Sequence, residues 1–549
     1  MVNNLQRLPS VRKSYSKISG LSCPFPTITI FAVGLLLSQL VIFNIWVIYF
    51  HGDNNYSVNT NHVSRQNVQR ELPHPEEDVK PADGTFNGHP IFFRKDQKDI
   101  ETISHCVGEN YQDETSWQKK SCEFSNLFCF DTKKKDFVVF DNSRNEEMYK
   151  YAEQQPFLDI SQSFLKKSES KMNSVALGGI NLKWSEGISR LKWFPEIRTI
   201  KPNQSLSYYE LPSSVVMVPF HSMNGANPGH LVWDDFLPIH TLLVMFQLNN
   251  KSTDLMMMRY ILKDQDRGLW ASCDWNDEKN KSCETMYRKF LPLMVGLGSD
   301  RARDTLATTE VFDFQLVDDN DTKNNSHNQS TLVCAQHGLA GIGALTDHGT
   351  SKLHGWENKD YEITQNHGRG GMIYEFRNFM LKNMGIPTEL NHKPPFRIIF
   401  SEKSSNIGHR NFDFTKQKQM LEQTFNPSYV SVESYIFSEM SLANQLETAS
   451  QASILITSCG GGAVTSMFMP KGSSVIFYYL EDGGVINNKP TGKPARLDWD
   501  LFNNMAYLKV HWLPAGTMKK DADTKAFLLL IQHELDSLIR ERSYDHFFN

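Results

Sequence analysis

The chain has 549 residues, 22% of them charged, with a formal net charge of -5 at pH 7. That length leaves room for two domains with full cores plus non-globular ends. The charge balance gives no basis for a nucleic-acid or other polyanionic partner, and none is expected.

Residues 1–27 carry Arg7, Arg12, Lys13 and Lys17 and no acidic side chain. They precede Ile28–Phe50, an apolar run whose polar members are Thr29, Ser38, Gln39 and Asn44. The run is long enough to span a bilayer, and the basic flank keeps the N-terminus cytoplasmic. It is too long for a cleaved signal peptide and lacks a small-residue cleavage site. The expectation is a single-pass type II membrane protein: tail 1–27, signal anchor 28–50, and the remainder in the Golgi or ER lumen. Sequons at Asn55, Asn203, Asn250, Asn280, Asn320, Asn324 and Asn328, in polar and loop-like surroundings, agree with that location. So do seven of the eight cysteines, which lie beyond the anchor.

Residues 51–89, rich in Asn, Gln, Pro and Glu, read as a flexible stem. Globular character begins near Pro90. Cys106, Cys122 and Cys129 crowd around the strand-like Phe137–Phe140, and one disulfide is expected from them in a pairing the spacing leaves open. Cys334 and Cys459 are two further candidates. Cys273 and Cys283 flank a short polar loop and form the best pair. No cysteine spacing suits a zinc knuckle, so no metal site is expected.

Ser213–Pro219 is an apolar strand leading to Asn227, which can cap a helix with Pro228 at its first position. His230, Asp234 and Asp235 fall in the first two turns, with His230 and Asp234 four apart on one face. Pro238 should kink or interrupt that helix. Acidic residues near a helix start also complement the macrodipole, an ordinary structural role. Asp264-Gln265-Asp266 and Asp319-Asn320-Asp321 match D-x-D, a metal-holding pattern of some transferases; the second lies among sequons and is set aside. Thr331–Asp347 and His367–Gly371 are rich in Gly and His without metal-ligand spacing.

After Gly385 and Pro387 the pattern becomes strand Phe396–Phe400, a polar loop with Arg410, and a helix near Lys416–Phe425. Strand Tyr429–Val432, helix Ser441–Ala449 and strand Ser453–Thr457 continue a βαβαβ alternation, half of a doubly wound fold. Gly460, Gly461 and Gly462 follow, then a short helix over Ala463–Met469, Pro470, Gly472 and strand Val475–Tyr479. Consecutive glycines ahead of a helix start let backbone N–H groups approach a phosphate. The spacing is neither G-x-G-x-x-G nor a P-loop. An amphipathic helix, Thr524–Arg542, closes the chain with Phe527, Leu528, Ile531, Leu535, Leu538 and Ile539 on one face.

The order of these pieces resembles glycosyltransferase family 61, the group that includes plant β-1,2-xylosyltransferases and the EGF-domain O-GlcNAc transferase. Asn227-Pro228-Gly229-His230 is similar to the family's N-x-x-H segment. FRIIFSEKSSNIGHRN, with Arg410, is similar to its strand, arginine loop and helix. Glu375–Ile386 is similar to the helix before the donor domain, and Ser453–Gly472 to the strand, His-Gly-Ala-Gly loop, helix and Pro-x-Gly. The resemblance covers about residues 210–480. It departs at Cys459, where the family has His: the backbone cradle is kept and an imidazole is lost.

The resemblance implies a GT-B-type α/β fold, two Rossmann-like domains facing across a cleft. The acceptor-side domain would be 90–385 and the nucleotide-sugar-binding domain 386–549. It implies an inverting hexosyl- or pentosyltransferase using a nucleotide sugar, UDP-linked xylose, GlcNAc or a pentose, on a glycan or glycoprotein hydroxyl, with no cofactor and no obligatory metal. His230, Asp234 and Asp235 would be catalytic, with Asp235 slightly preferred to Asp234 as base and His230 either base or donor ligand, and Asn227 would position the acceptor. Arg410, Cys459, Gly460, Gly461 and Gly462 would bind the donor. The competing readings are a lumenal glycan-binding protein on a decayed transferase fold, or another Golgi group transferase such as a sulfotransferase.

Overall fold

Two sheets, built differently, carry the molecule. The computed structural model describes residues 79–86, 89–98, 100–107, 121–141, 175–177, 183–184, 187–188, 191–200, 204–222, 225–249, 253–260, 273, 277–296, 302–304, 332–341, 369–389, 392–402, 412–480, 485–486, 489–490, 496–519 and 521–544. The anchor Ile28–Phe50, residues 51–78 of the stem, Arg410, both D-x-D segments, and Asn55, Asn203, Asn250, Asn320, Asn324 and Asn328 lie outside them, whereas Val79–Phe86, expected as flexible stem, is a strand paired antiparallel with His89–Gln97. Among the described residues no helix is long and apolar enough to cross a membrane.

The first sheet has eleven strands: β1 (Val79–Phe86), β2 (His89–Gln97), β3 (Ile103–Val107), β4 (Ser121–Asp131), β5 (Asp136–Asp141), β6 (Glu196–Thr199), β7 (Leu206–Glu210), β8 (Val215–Phe220), β9 (Asp254–Arg259), β10 (Ala302–Asp304) and β11 (Leu332–Gly341). β8, β9 and β10 are parallel neighbours. β11 is the hub. It pairs in parallel with β7 in its first half and with β8 in its second, and antiparallel with β4 along its length. LVCAQHGLAG does not advertise this, because its glycines interrupt the alternation that marks a strand. Gly338 has a packing reason: a Cβ there would stand 2.2 Å from the Phe128 ring. Disulfides Cys106–Cys122 and Cys129–Cys334 each join residues directly opposite on paired strands.

The second sheet is wholly parallel. It contains β12 (Phe396–Ser401), β13 (Val430–Tyr435), β14 (Ile454–Ser458), β15 (Ser474–Tyr479) and β16 (Lys509–Pro514), in the order β13-β12-β14-β15-β16. Both faces are covered, hence the near-continuous apolar runs of β14 and β15. Ile398, Phe400, Ile454, Ile456 and Ile476 face Phe527, Ile531, Leu535 and Leu538 of the last helix, Asp521–Tyr544. Ile539, expected on that buried face, is 53% exposed: the packed stripe passes through Leu538 instead. Ile399, Leu455, Val475 and Phe477 on the other face join the largest core, which also contains Val216, Val218 and Leu255 of the first sheet. These residues belong to one compact unit, Asp78–Asn549.

Candidate functional site

The helix after β8 starts as the sequence requires. Asn227 has extended backbone, and its Oδ1 accepts the Gly229 N–H at 2.9 Å, with Pro228 in the first turn. The helix then changes gauge: α1 (Pro228–His230) gives way to a π turn, Leu231–Phe236, and then to α2 (Leu237–Met245). Pro238 therefore does not end the helix. It falls in the first turn of α2, just after the widened segment, where a missing N–H is accommodated. All six residues of the π turn are buried, including both carboxylates.

Burying two adjacent acids requires partners, and each has one. Asp234 Oδ2 lies 2.6 Å from His230 Nδ1, with Asp234 2% exposed and the His230 side chain 17% exposed. Ser222 Oγ, two residues beyond β8, donates to Asp235 Oδ2 at 2.6 Å. Burial pushes the Asp235 carboxyl well above the usual carboxylate range, and neighbouring Asp234 adds to that. The Ser222 hydroxyl, His230 and the buried Arg259 at the end of β9 act the other way. Ser222 and Arg259 were not expected from the sequence. Their only signal is position, at the carboxyl ends of two buried parallel strands.

The glycine loop leaves the carboxyl end of β14. Cys459 is half-buried and donates its backbone N–H to Tyr478 O at 3.0 Å, holding the loop against β15. Gly460 has φ 135°, in the region that favours glycine. Gly461–Phe468 then forms a 3₁₀ helix in place of the expected turns of ordinary helix. Its far end is gripped from behind: Tyr507 Oη donates to Met467 O at 2.5 Å, and the buried Arg377 donates to Phe468 O at 3.3 Å. Arg377 comes from α3 (Arg369–Asn383), the helix that contains most of the Glu375–Ile386 segment.

In the strand order 2-1-3-4-5 the connections reverse direction between β12 and β14, the topological switch point where doubly wound sheets bind ligands. The glycine loop sits at that point. α1 packs against Gly461–Phe468, so Pro228–His230 meets the helix that opens at the glycine loop although more than two hundred residues separate them.

The remaining expectations sort themselves by place. Cys273–Cys283 is bonded as expected. The first-sheet cysteines form two bridges, with Cys334 as partner of Cys129, and Cys459 lies outside all three. Asn280 is not in a loop. It lies in helix Asp277–Phe290, whose Cys283, Tyr287 and Phe290 repeat at helical spacing and bury one face. No group of three or more His, Cys, Asp or Glu among the described residues is arranged to hold a metal ion.

No curated protein matches the chain. Among solved structures, E. coli heptosyltransferase WaaC with ADP is similar at 9% identity over 58% of this chain and 99% of that one, with a TM-score of 0.24. The family model Glycosyltransferase 61 matches residues 359–476, from just before α3 into β15, including the whole glycine loop. That match supports assignment of the chain to glycosyltransferase family 61, and the protein is a glycosyltransferase.

Proposed function

We propose that this glycosyltransferase transfers a sugar from a nucleotide sugar, UDP-linked xylose, GlcNAc or another pentose, to a glycan or glycoprotein hydroxyl, with inversion. The observation that carries the reading is the packing of α1 on Gly461–Phe468. It brings the helix start that carries His230 to the helix that opens at the glycine loop, at a switch point. Two sheets with parallel strands, sharing a core, support a GT-B-type arrangement.

In this reading the departing diphosphate is stabilised by backbone N–H groups of Gly460–Gly462 and the positive end of the 3₁₀ helix, with Arg410 as a further partner and no obligatory metal. Cys459 keeps the main chain in place without supplying an imidazole. His230 is the general base. Asp234 holds its Nδ1, which puts the ring proton there and leaves Nε2 as the basic nitrogen. Asp234 also stabilises the imidazolium formed as the acceptor hydroxyl loses its proton. Asp235 is buried with its Oδ2 taken by the Ser222 hydroxyl and acts behind the dyad in this reading, in place of the slight preference for it as base. Asn227 fixes the start of the helix that presents His230. The protein would be a type II membrane protein of the Golgi or ER with its catalytic region in the lumen.

The test is a hydrolysis and transfer screen of UDP-sugars with wild type and His230→Ala. Loss of a base costs about 10²–10⁴ in rate. Such a loss with unchanged UDP affinity is expected, and a variant retaining more than roughly a tenth of wild-type turnover puts the base elsewhere.

A further inference from the structure

Asp235 does not stand alone behind the dyad. Gly225 N–H donates to Cys273 Sγ at 3.2 Å, so the loop after β8 is fastened to the Cys273–Cys283 disulfide. The same sulfur lies 4.0 Å from Ser222 Oγ, whose hydroxyl is bonded to Asp235. Ser222, Cys273, Cys283 and Asp235 are all buried. Gly225 is part of the fit: a Cβ on it would stand 2.5 Å from Ser222 Oγ.

We propose that Ser222, clamped between Gly225 and the Cys273–Cys283 disulfide, is a positioning residue that holds the Asp235 carboxyl behind the His230–Asp234 dyad in the orientation from which it ionises. This rests on the acid–base reading above. The charged groups acting on Asp235 are Asp234 and His230 on its own helix and Arg259 from β9. A hydroxyl donating to a carboxylate favours the ionised form. Removing it makes Asp235 keep its proton to higher pH, so a step that needs both carboxylates charged loses rate from the acid side.

Two variants test this independently. Ser222→Ala deletes the hydroxyl. Gly225→Ala leaves it present and pushes it off Asp235, which keeps the question open if the first variant folds poorly. In both, the acid limb of the kcat/KM profile should move up by about one pH unit, the scale of a hydrogen bond to a charged group, while UDP affinity by calorimetry stays at wild type. Thermal unfolding supplies a readout free of turnover. The Tm loss from Ser222→Ala should grow as rising pH ionises Asp235 and vanish in an Asp235→Asn background. A pH-independent, additive Tm loss and an unmoved acid limb would overturn the proposal and make the loop merely structural. Full turnover in Asp235→Asn would likewise overturn the proposal, whereas full turnover in His230→Ala would overturn the acid–base reading on which it rests.

Discussion

At the scale of single residues, the described protein satisfies buried charge by pairing, and the pairings differ in what they do. Glu123 on β4 lies between two histidines, with His337 Nδ1 at 3.1 Å and His105 Nδ1 at 3.7 Å. Burial alone would raise its carboxyl, but hydrogen bonds and charge from the two rings outweigh it and bring the carboxyl down to about 2. A carboxyl lower in the folded than in the unfolded state stabilises above the unfolded value and ceases to do so as pH falls through the folded one. The contribution is therefore present above about pH 4.5 and fades towards pH 2, with an upper scale of about 3 kcal/mol. Glu123→Gln should lower urea stability at pH 7 and lose most of that deficit near pH 2.5; an equal deficit at both would show that the histidines do not act through charge. Nothing in the sequence announces this trio, because its members lie on three strands and meet only through pairing. His230–Asp234 is the opposite case. Helical spacing alone brings its members together, so it was legible beforehand.

Among elements, the parallel sheet was read almost strand for strand. Its runs are short, apolar on both faces and separated by clear helix and turn signals. The first sheet was legible at β5 and β8. Its hub, β11, carries glycines placed for packing against Phe128, and that demand cannot be seen without the partner strand. The π turn was likewise hidden, since hydrogen-bond gauge leaves no mark in a pattern of apolar residues. The 3₁₀ helix Gly461–Phe468 shows how an element serves a site: its start borders the proposed diphosphate and its end is held by Tyr507 and Arg377. Changes at the two ends should separate. Gly461→Val places a side chain where the diphosphate approaches and should abolish UDP binding in calorimetry with the fold intact. Tyr507→Phe leaves the buried Met467 carbonyl short of a donor and should cost about 1–3 kcal/mol in chemical unfolding while binding survives at weaker affinity. If Gly461→Val binds UDP as wild type does, the glycines are only a turn.

Over the whole molecule, covalent links and location must agree. Two of the three disulfides among the described residues sit in the first sheet, and Cys129–Cys334 spans a sequence separation of 205, tying the hub strand to β4. A cross-link over so long a loop restricts the unfolded chain strongly, worth up to about 5 kcal/mol in a chain-entropy account. Such a bond persists only in an oxidising compartment. The proposed lumenal location and the fold therefore make the same demand. Sequons outside the described residues and the basic flank of Ile28–Phe50 point to that compartment by separate routes. Asn280 is the exception: it lies on a helix and is half-buried, so it should stay unmodified in the folded protein. Protein from a eukaryotic host should give a non-reducing peptide map with the three pairs, and glycosidase should increase its mobility. The glycopeptides should exclude Asn280. Cys129→Ala with Cys334→Ala should lower Tm by several degrees or prevent secretion. Free thiols at all six positions in active protein, with no glycosidase shift, would remove both the lumenal location and the stabilising role of the bridges.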